Sequence, residues 1–240
     1  MTADWKRIQE WAGVPADGIP GPATAKAIIA KAGLAEPTFD REAFLAQFVN
    51  TSASAIVSAD IARAATRLNV TPKHVEMVRK VESGGTSFDQ KGRPVILFEP
   101  HIFHRRTAGR FGRTNFSNPT WDRNLYPKSF DGRWQQLADA AAHDEPTALE
   151  SASWGLFQIM GFHWQALGYA SALDFAQRMT ASEGEHLEAL VRFIEKNGLA
   201  PALRRCVAGN PESCRDFAKS YNGAGYAANN YHIKMAKALA

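Results

Sequence analysis

Cysteine is scarce in this chain: Cys206 and Cys214 are the only two among 240 residues. That count excludes a disulfide framework, and their spacing relative to histidine does not make a zinc site. They flank a Gly-Asn-Pro turn in RRCVAGNPESCRDF and could come close enough to bridge, a point the sequence leaves open. No hydrophobic run approaches a transmembrane span, and MTADWKRIQEWAG has no apolar core of signal-peptide length. Neither stable membrane insertion nor export by a cleavable signal is expected. Runs of Lys and Arg are missing too, and net charge is only +4. With no DNA- or RNA-binding signature, nucleic acid is not an expected partner, although the mild basic bias suits an anionic polymer. The chain is 45% hydrophobic and 22% charged, ordinary for a soluble globular protein, and long enough for one good-sized domain with a small appendage.

Strand-like sequence is equally sparse. Only PVILF, Pro94 to Phe98, reads as a strand, half of a hairpin with Ser87–Gln90. Helical spacing predicts helices over Ser58–Leu68, Pro72–Glu82, Trp134–Ala142, Glu150–Gln158, Ala170–Met179, Ser182–Asn197 and Asn229–Ala240. Ser182 and Glu185 form a capping box, and Leu187, Leu190, Val191 and Ile194 make a buried stripe that Asn197-Gly198 ends. Arg110–Arg133, rich in Asn, Pro and Gly, reads as a long irregular loop of the kind that often carries function. The expected fold is mainly α: a helical domain over 55–240 with a small β-hairpin lining its cleft. A connector over 37–54 and a short N-terminal helical hairpin over 1–36 precede it.

The helix begun by Thr71-Pro72 places Val75, Val78 and Glu82 on one face, so Glu82 continues an apolar stripe. Partial burial and the negative end of the helix dipole would both raise its pKa, as a general acid near neutral pH requires. Gly84-Gly85 leaves room for something to approach, and Asp89 and Glu99 follow. A strand returning beside the helix would bring one of these acids across a cleft from Glu82, the pairing that glycosidic hydrolysis uses. Two other segments suit a sugar. ESASWGLFQIMGFHW offers the hydroxyls of Ser151 and Ser153 and a Gln158 that needs a partner among apolar neighbours. SYNGAGYAANNY offers Tyr221, Asn222, Tyr226 and Tyr231, aromatic faces and amides. Glu99-Pro-His101-Ile-Phe-His104 could suggest a metal site, but its apolar surroundings argue against one; no metal or cofactor is expected.

VESGG, SWGLFQIMG and YNGAGY, in this order and with GRPVILFEPHIFHR between the first two, resemble the lysozyme superfamily, and within it the phage endolysin family of N-acetylmuramidases. The resemblance spans roughly Ser58 to Leu239. It implies a lysozyme-like α+β fold and cleavage of the β-1,4 bond between N-acetylmuramic acid and N-acetylglucosamine in peptidoglycan. Glu82 looks like the catalytic acid and Glu99 like the second carboxylate, with Asp89 as the alternative. Ser151 and Ser153 would help to position water, and Gln158, Tyr221, Asn222 and Tyr226 to bind substrate. A lytic transglycosylase resembles the same three motifs, and a non-catalytic wall-binding phage protein is the other alternative. WKRIQEWAGVPADGIPGPATAKAIIAKAGL, in turn, resembles a peptidoglycan-binding module, carried by Gln9 and the turn of Asp17, Gly18, Gly21 and Thr24. The resemblance implies a monomer that reaches the periplasmic wall by holin-type release; a bacterial effector delivered by a secretion machine would read similarly.

Overall fold

The computed structural model describes residues 4–18, 22–33, 38–82 and 86–240, and divides into two units, Met1–Asp40 and Arg41–Ala240. In the first, α1 (Trp5–Ala12) starts where the Asp4 carboxylate accepts the Arg7 amide, and ends at Gly13 in the left-handed region. It is followed by α2 (Pro22–Lys31). The buried residue of α1 is Gln9, while Trp5 and Trp11 are exposed. Gln9 ties the intervening turn together: its amide donates to Asp17 and Thr24, and its carbonyl accepts the Gly18 N–H at 2.8 Å. Gly18, at φ +81°, takes a conformation that favours glycine. Gly21, in the same predicted motif, lies outside the described residues.

The second unit begins with α3 (Arg41–Ala46), then α4 (Ser58–Leu68) and α5 (Pro72–Glu82). Helix α3 falls inside the segment expected as a connector over 37–54, where a helix at Asp40–Val49 was expected, and it packs on this unit. Arg41 hydrogen-bonds Gln135, and Phe44 and Phe48 are buried. Phe48 meets Trp134 and Trp154 at 5.2 and 5.8 Å, so residues from Arg41 onward belong to the main core.

Strand β1 (Ile96–Phe98) leads into α6 (Pro100–Arg106). An irregular stretch follows, then α7 (Phe130–Glu150). That helix is two pieces. Asp144 leaves helical geometry and its carboxylate accepts the Thr147 amide, recapping the chain just before Pro146, which is why the periodic pattern stopped near Ala142.

The helix expected over Glu150–Gln158 is overturned: β2 (Ala152–Trp154) and β3 (Ile159–Met160) stand there instead. Gly155 at φ +66° and Gln158 at φ +50° turn the chain between them, a backbone no α-helix accommodates. The sheet order is β1-β2-β3, antiparallel throughout, with Leu97 opposite Ser153 and Ser153 opposite Met160. The predicted hairpin partner at 87–90 contributes only an isolated bridge, Phe88 to Pro94. The remaining helices are α8 (Ala172–Ala181), α9 (Glu183–Lys196), α10 (Ala200–Arg204), α11 (Arg215–Asn222) and α12 (Tyr231–Leu239). Ser182 caps α9 as expected, and the Leu187, Leu190, Val191 and Ile194 stripe is buried. Cys206 and Cys214 are both buried and unbridged.

Candidate active site

The three-stranded sheet, α9, α11 and the start of α12 enclose a cleft of about 460 Å³. Glu99, Ser153, Gln158, Tyr221 and Asn222 line it, five of the residues singled out from sequence. Each is placed by local structure. Glu99 follows β1 directly, its amide donating to the Ser151 carbonyl at 2.9 Å, and its carbonyl starts α6 by accepting from Ile102 and Phe103. Ser153 sits mid-strand in β2 and donates to the Gln158 side-chain carbonyl at 2.8 Å. Gln158 in turn donates to Gly155 at 2.8 Å, so the amide that needed a partner finds it in its own turn. Tyr221, near the end of α11, stacks on Phe217 and donates to the Phe157 carbonyl at 3.1 Å. The cleft is thus amide- and aromatic-lined, with a single described carboxyl, Glu99.

Glu99 is an unusual carboxyl. It is mostly buried, and burial raises its pKa above the ordinary range; a hydrogen bond donated by the Tyr126 hydroxyl opposes that rise. Burial likewise pushes the Tyr126 phenol well up, so it stays a donor. His101 Nδ1 stands 3.4 Å from Glu99 Oε2 without forming a hydrogen bond. Burial and the nearby Arg105 lower the His101 pKa, so this contact is not an ion pair. His104 points elsewhere, to Ser117 at 3.0 Å, and among the described residues no three metal-ligating side chains gather.

Three candidates lie away from this cleft. Asp89 occupies a turn, and its oxygens are consumed by the backbone amides of Lys91 and Arg93 and by the Arg93 guanidinium at 2.7 Å, a pair whose side chains are only 3% and 4% exposed. Ser151 caps α7 and donates to the Thr147 carbonyl at 2.7 Å, fully buried. Tyr226 is buried too, accepting from Arg215 at 3.1 Å. Val75 and Val78 are buried as the stripe on α5 predicted, and Glu82 closes that helix. The Glu82 side chain and Ser83–Gly85 lie outside what the structure describes. Helix α5 packs against α12, whose first residue, Tyr231, lines the cleft.

Several lining groups had no individual signal in the sequence. Phe157 comes with the β2–β3 turn that was read as helix, Met160 and His163 come with β3 and the turn after it, and Phe193 looks like another core residue of α9. Tyr126 was legible only as part of a long irregular segment.

Comparison with known proteins matches residues 71–240 to the family model described as Muramidase: N-acetylmuramidase. An endolysin of Enterobacteria phage PRD1 is 27% identical over 149 residues, covering 62% of this chain and 85% of that protein. The crystal structure of the Burkholderia AP3 phage endolysin superposes with a TM-score of 0.69 at 36% identity, covering 98% of this chain and 81% of that one.

Proposed function

We propose a role for each cleft residue from one premise: the chain belongs to the N-acetylmuramidase family. It is a peptidoglycan hydrolase and a glycoside hydrolase. The bond cleaved in this reading is the β-1,4 link between N-acetylmuramic acid and N-acetylglucosamine. Glu82 gives its proton to the bridging oxygen as the bond to the anomeric carbon breaks. As the last residue of α5 it stands at the negative end of the helix dipole, which favours the protonated form a general acid needs. Glu99, ionised, stabilises the positive charge that builds at the anomeric carbon or activates the water that adds there. The observation that carries this assignment is Glu99 itself, a mostly buried carboxyl and the one described carboxyl in a cleft lined by amide, hydroxyl, aromatic and aliphatic side chains. Asp89, locked to Arg93, is the weaker choice for second carboxylate.

Ser153, Gln158, Tyr221 and Asn222 bind the sugars in this reading, while Ser151 and Tyr226 support the walls. The N-terminal unit holds the wall, offering the exposed rings of Trp5 and Trp11 on the helix whose Gln9 braces the adjoining turn. In this reading the protein works as a monomer and meets peptidoglycan after holin-type release.

The test is mass spectrometry of muropeptides released from purified peptidoglycan by the wild type, Glu82→Gln and Glu99→Gln. Reducing-end N-acetylmuramic acid from the wild type, with rates lowered about 10²- to 10⁴-fold in Glu82→Gln, is the expected result. Anhydro-muramic products would make the enzyme a transglycosylase, and a folded Glu82→Gln with full activity would refute its role.

A further inference from the structure

We propose that Tyr126 is a positioning residue for Glu99: its hydroxyl holds one carboxylate oxygen so that the other is presented to substrate. The inference rests on the reading of Glu99 as the second carboxylate. A glutamate has three rotatable side-chain bonds, and holding it still costs conformational freedom that an anchoring contact must offset. The usual anchor is absent. Glu99 is the N-cap of α6, yet its side chain makes no capping hydrogen bond. Instead Oε2 accepts from Tyr126, and among the described residues Oε1 accepts nothing.

Tyr126 is itself built onto a rigid support. Asp122 caps the short 3-10 turn of Arg123–Leu125, and the Tyr126 amide bonds back to Arg123. Buried Gln136 on α7 then staples the segment down, donating to the carbonyls of Leu125 at 2.8 Å and Asn115 at 2.5 Å. On its outer side the Tyr126 ring packs at 5.9 Å against Trp121, which is 62% exposed. A phenol on such a mount supplies a directed donor, and donation to the charged form favours that form. Burial pulls the other way, so the hydroxyl keeps a desolvated carboxyl ionisable.

Among the described residues, the titratable and charged groups that line the cleft or flank Glu99 come from a handful of elements. His101 and Arg105 come from α6, His163 from the turn after β3, and Tyr221 and Tyr231 from α11 and α12. Burial holds His101 and His163 toward the neutral form, which leaves Tyr126 as the described group that donates to the carboxylate.

The experiment follows kcat and KM against pH on purified peptidoglycan for the full chain, Tyr126→Phe, Glu99→Gln and the double variant, with melting temperatures alongside. In Tyr126→Phe we expect an unchanged fold, a KM within about twofold, and a kcat lowered about 10- to 100-fold, the range of a hydrogen bond to a charged group. The acid limb of its profile should move to higher pH, because losing the donor raises the Glu99 pKa. Added to Glu99→Gln, the tyrosine change should cost nothing further. A wild-type kcat and acid limb in Tyr126→Phe, while Glu99→Gln is inactive, would overturn the inference and leave the role of Glu99 standing. A lower kcat with an unmoved acid limb and a lower melting temperature would reduce Tyr126 to scaffolding and also overturn it. Full activity in Glu99→Gln would sink the underlying reading instead.

Discussion

His186 should make the fold sensitive to mild acid. The residue lies in α9, fully buried, with its ring stacked on Phe88 at 5.1 Å. Its Nδ1 accepts the Leu156 amide at 3.1 Å, and its Nε2–H donates to the Met179 carbonyl at 2.6 Å. Protonating Nδ1 would set two donors against each other inside the core. Burial accordingly pushes the His186 pKa from 6.5 down to about 4. Because the folded-state pKa is depressed, the stability is fully present above pH 6.5 and is lost as pH falls toward 4, where the unfolded chain takes up a proton that the folded one refuses. At about 1.4 kcal/mol per pKa unit, the loss across that window is about 3 kcal/mol. His101 and His163, also lowered by burial, add to the same slope. Glu99, raised by burial, opposes it. Urea denaturation at several values between pH 7.5 and 4.5 should show a falling midpoint, and NMR should show the folded His186 ring still predominantly neutral as the pH falls well below 6.5. A ring that titrates near 6.5 in the folded protein, or a midpoint flat from pH 7.5 to 4.5, would refute the reasoning. The consequence reaches the site, since His186 holds the Leu156 amide within the turn that carries Phe157 and Gln158.

Replacing Arg93 with Met should destabilise the protein by about 3–5 kcal/mol in urea melts, because it strands the buried Asp89 carboxylate. Asp89→Asn, where it folds, should still release muropeptides, because Asp89 is not in the cleft. Gly161→Ala should cost roughly 3 kcal/mol in the same melts, since an added Cβ would sit 2.1 Å from the Leu149 carbonyl oxygen, which is backbone and cannot swing away. Gln9→Ala should loosen the N-terminal unit by roughly 1–3 kcal/mol. Hydrogen exchange over residues 5–31 and retention on purified peptidoglycan should register it, with the melt of the larger unit unchanged.

What the sequence by itself determined is local. Pro72 opens α5 and Ser182 caps α9 because such start signals act within one turn, and the predicted bounds of α4 and α5 match those observed. The turn around Asp17 and Gly18 was legible from its own motif, although the Gln9 side chain that braces it lies eight to fifteen positions away along the chain. The acids and amides of the site could be named, but their company could not. Glu150–Gln158 carries apolar residues at helical spacing, yet it became a hairpin because β1 offered its backbone a ladder from more than 50 residues away. Glu99 was preferred to Asp89 only through the resemblance, and packing decided that Asp89 is paired with Arg93 while Glu99 stays in the cleft. Tyr126 reaches Glu99 from 27 positions along the chain, beyond α6 and an irregular stretch, a contact with no periodicity to announce it. Spacing along a chain dictates which face a residue takes. Which charge is buried, and beside what, depends on segments that meet only when the whole core closes.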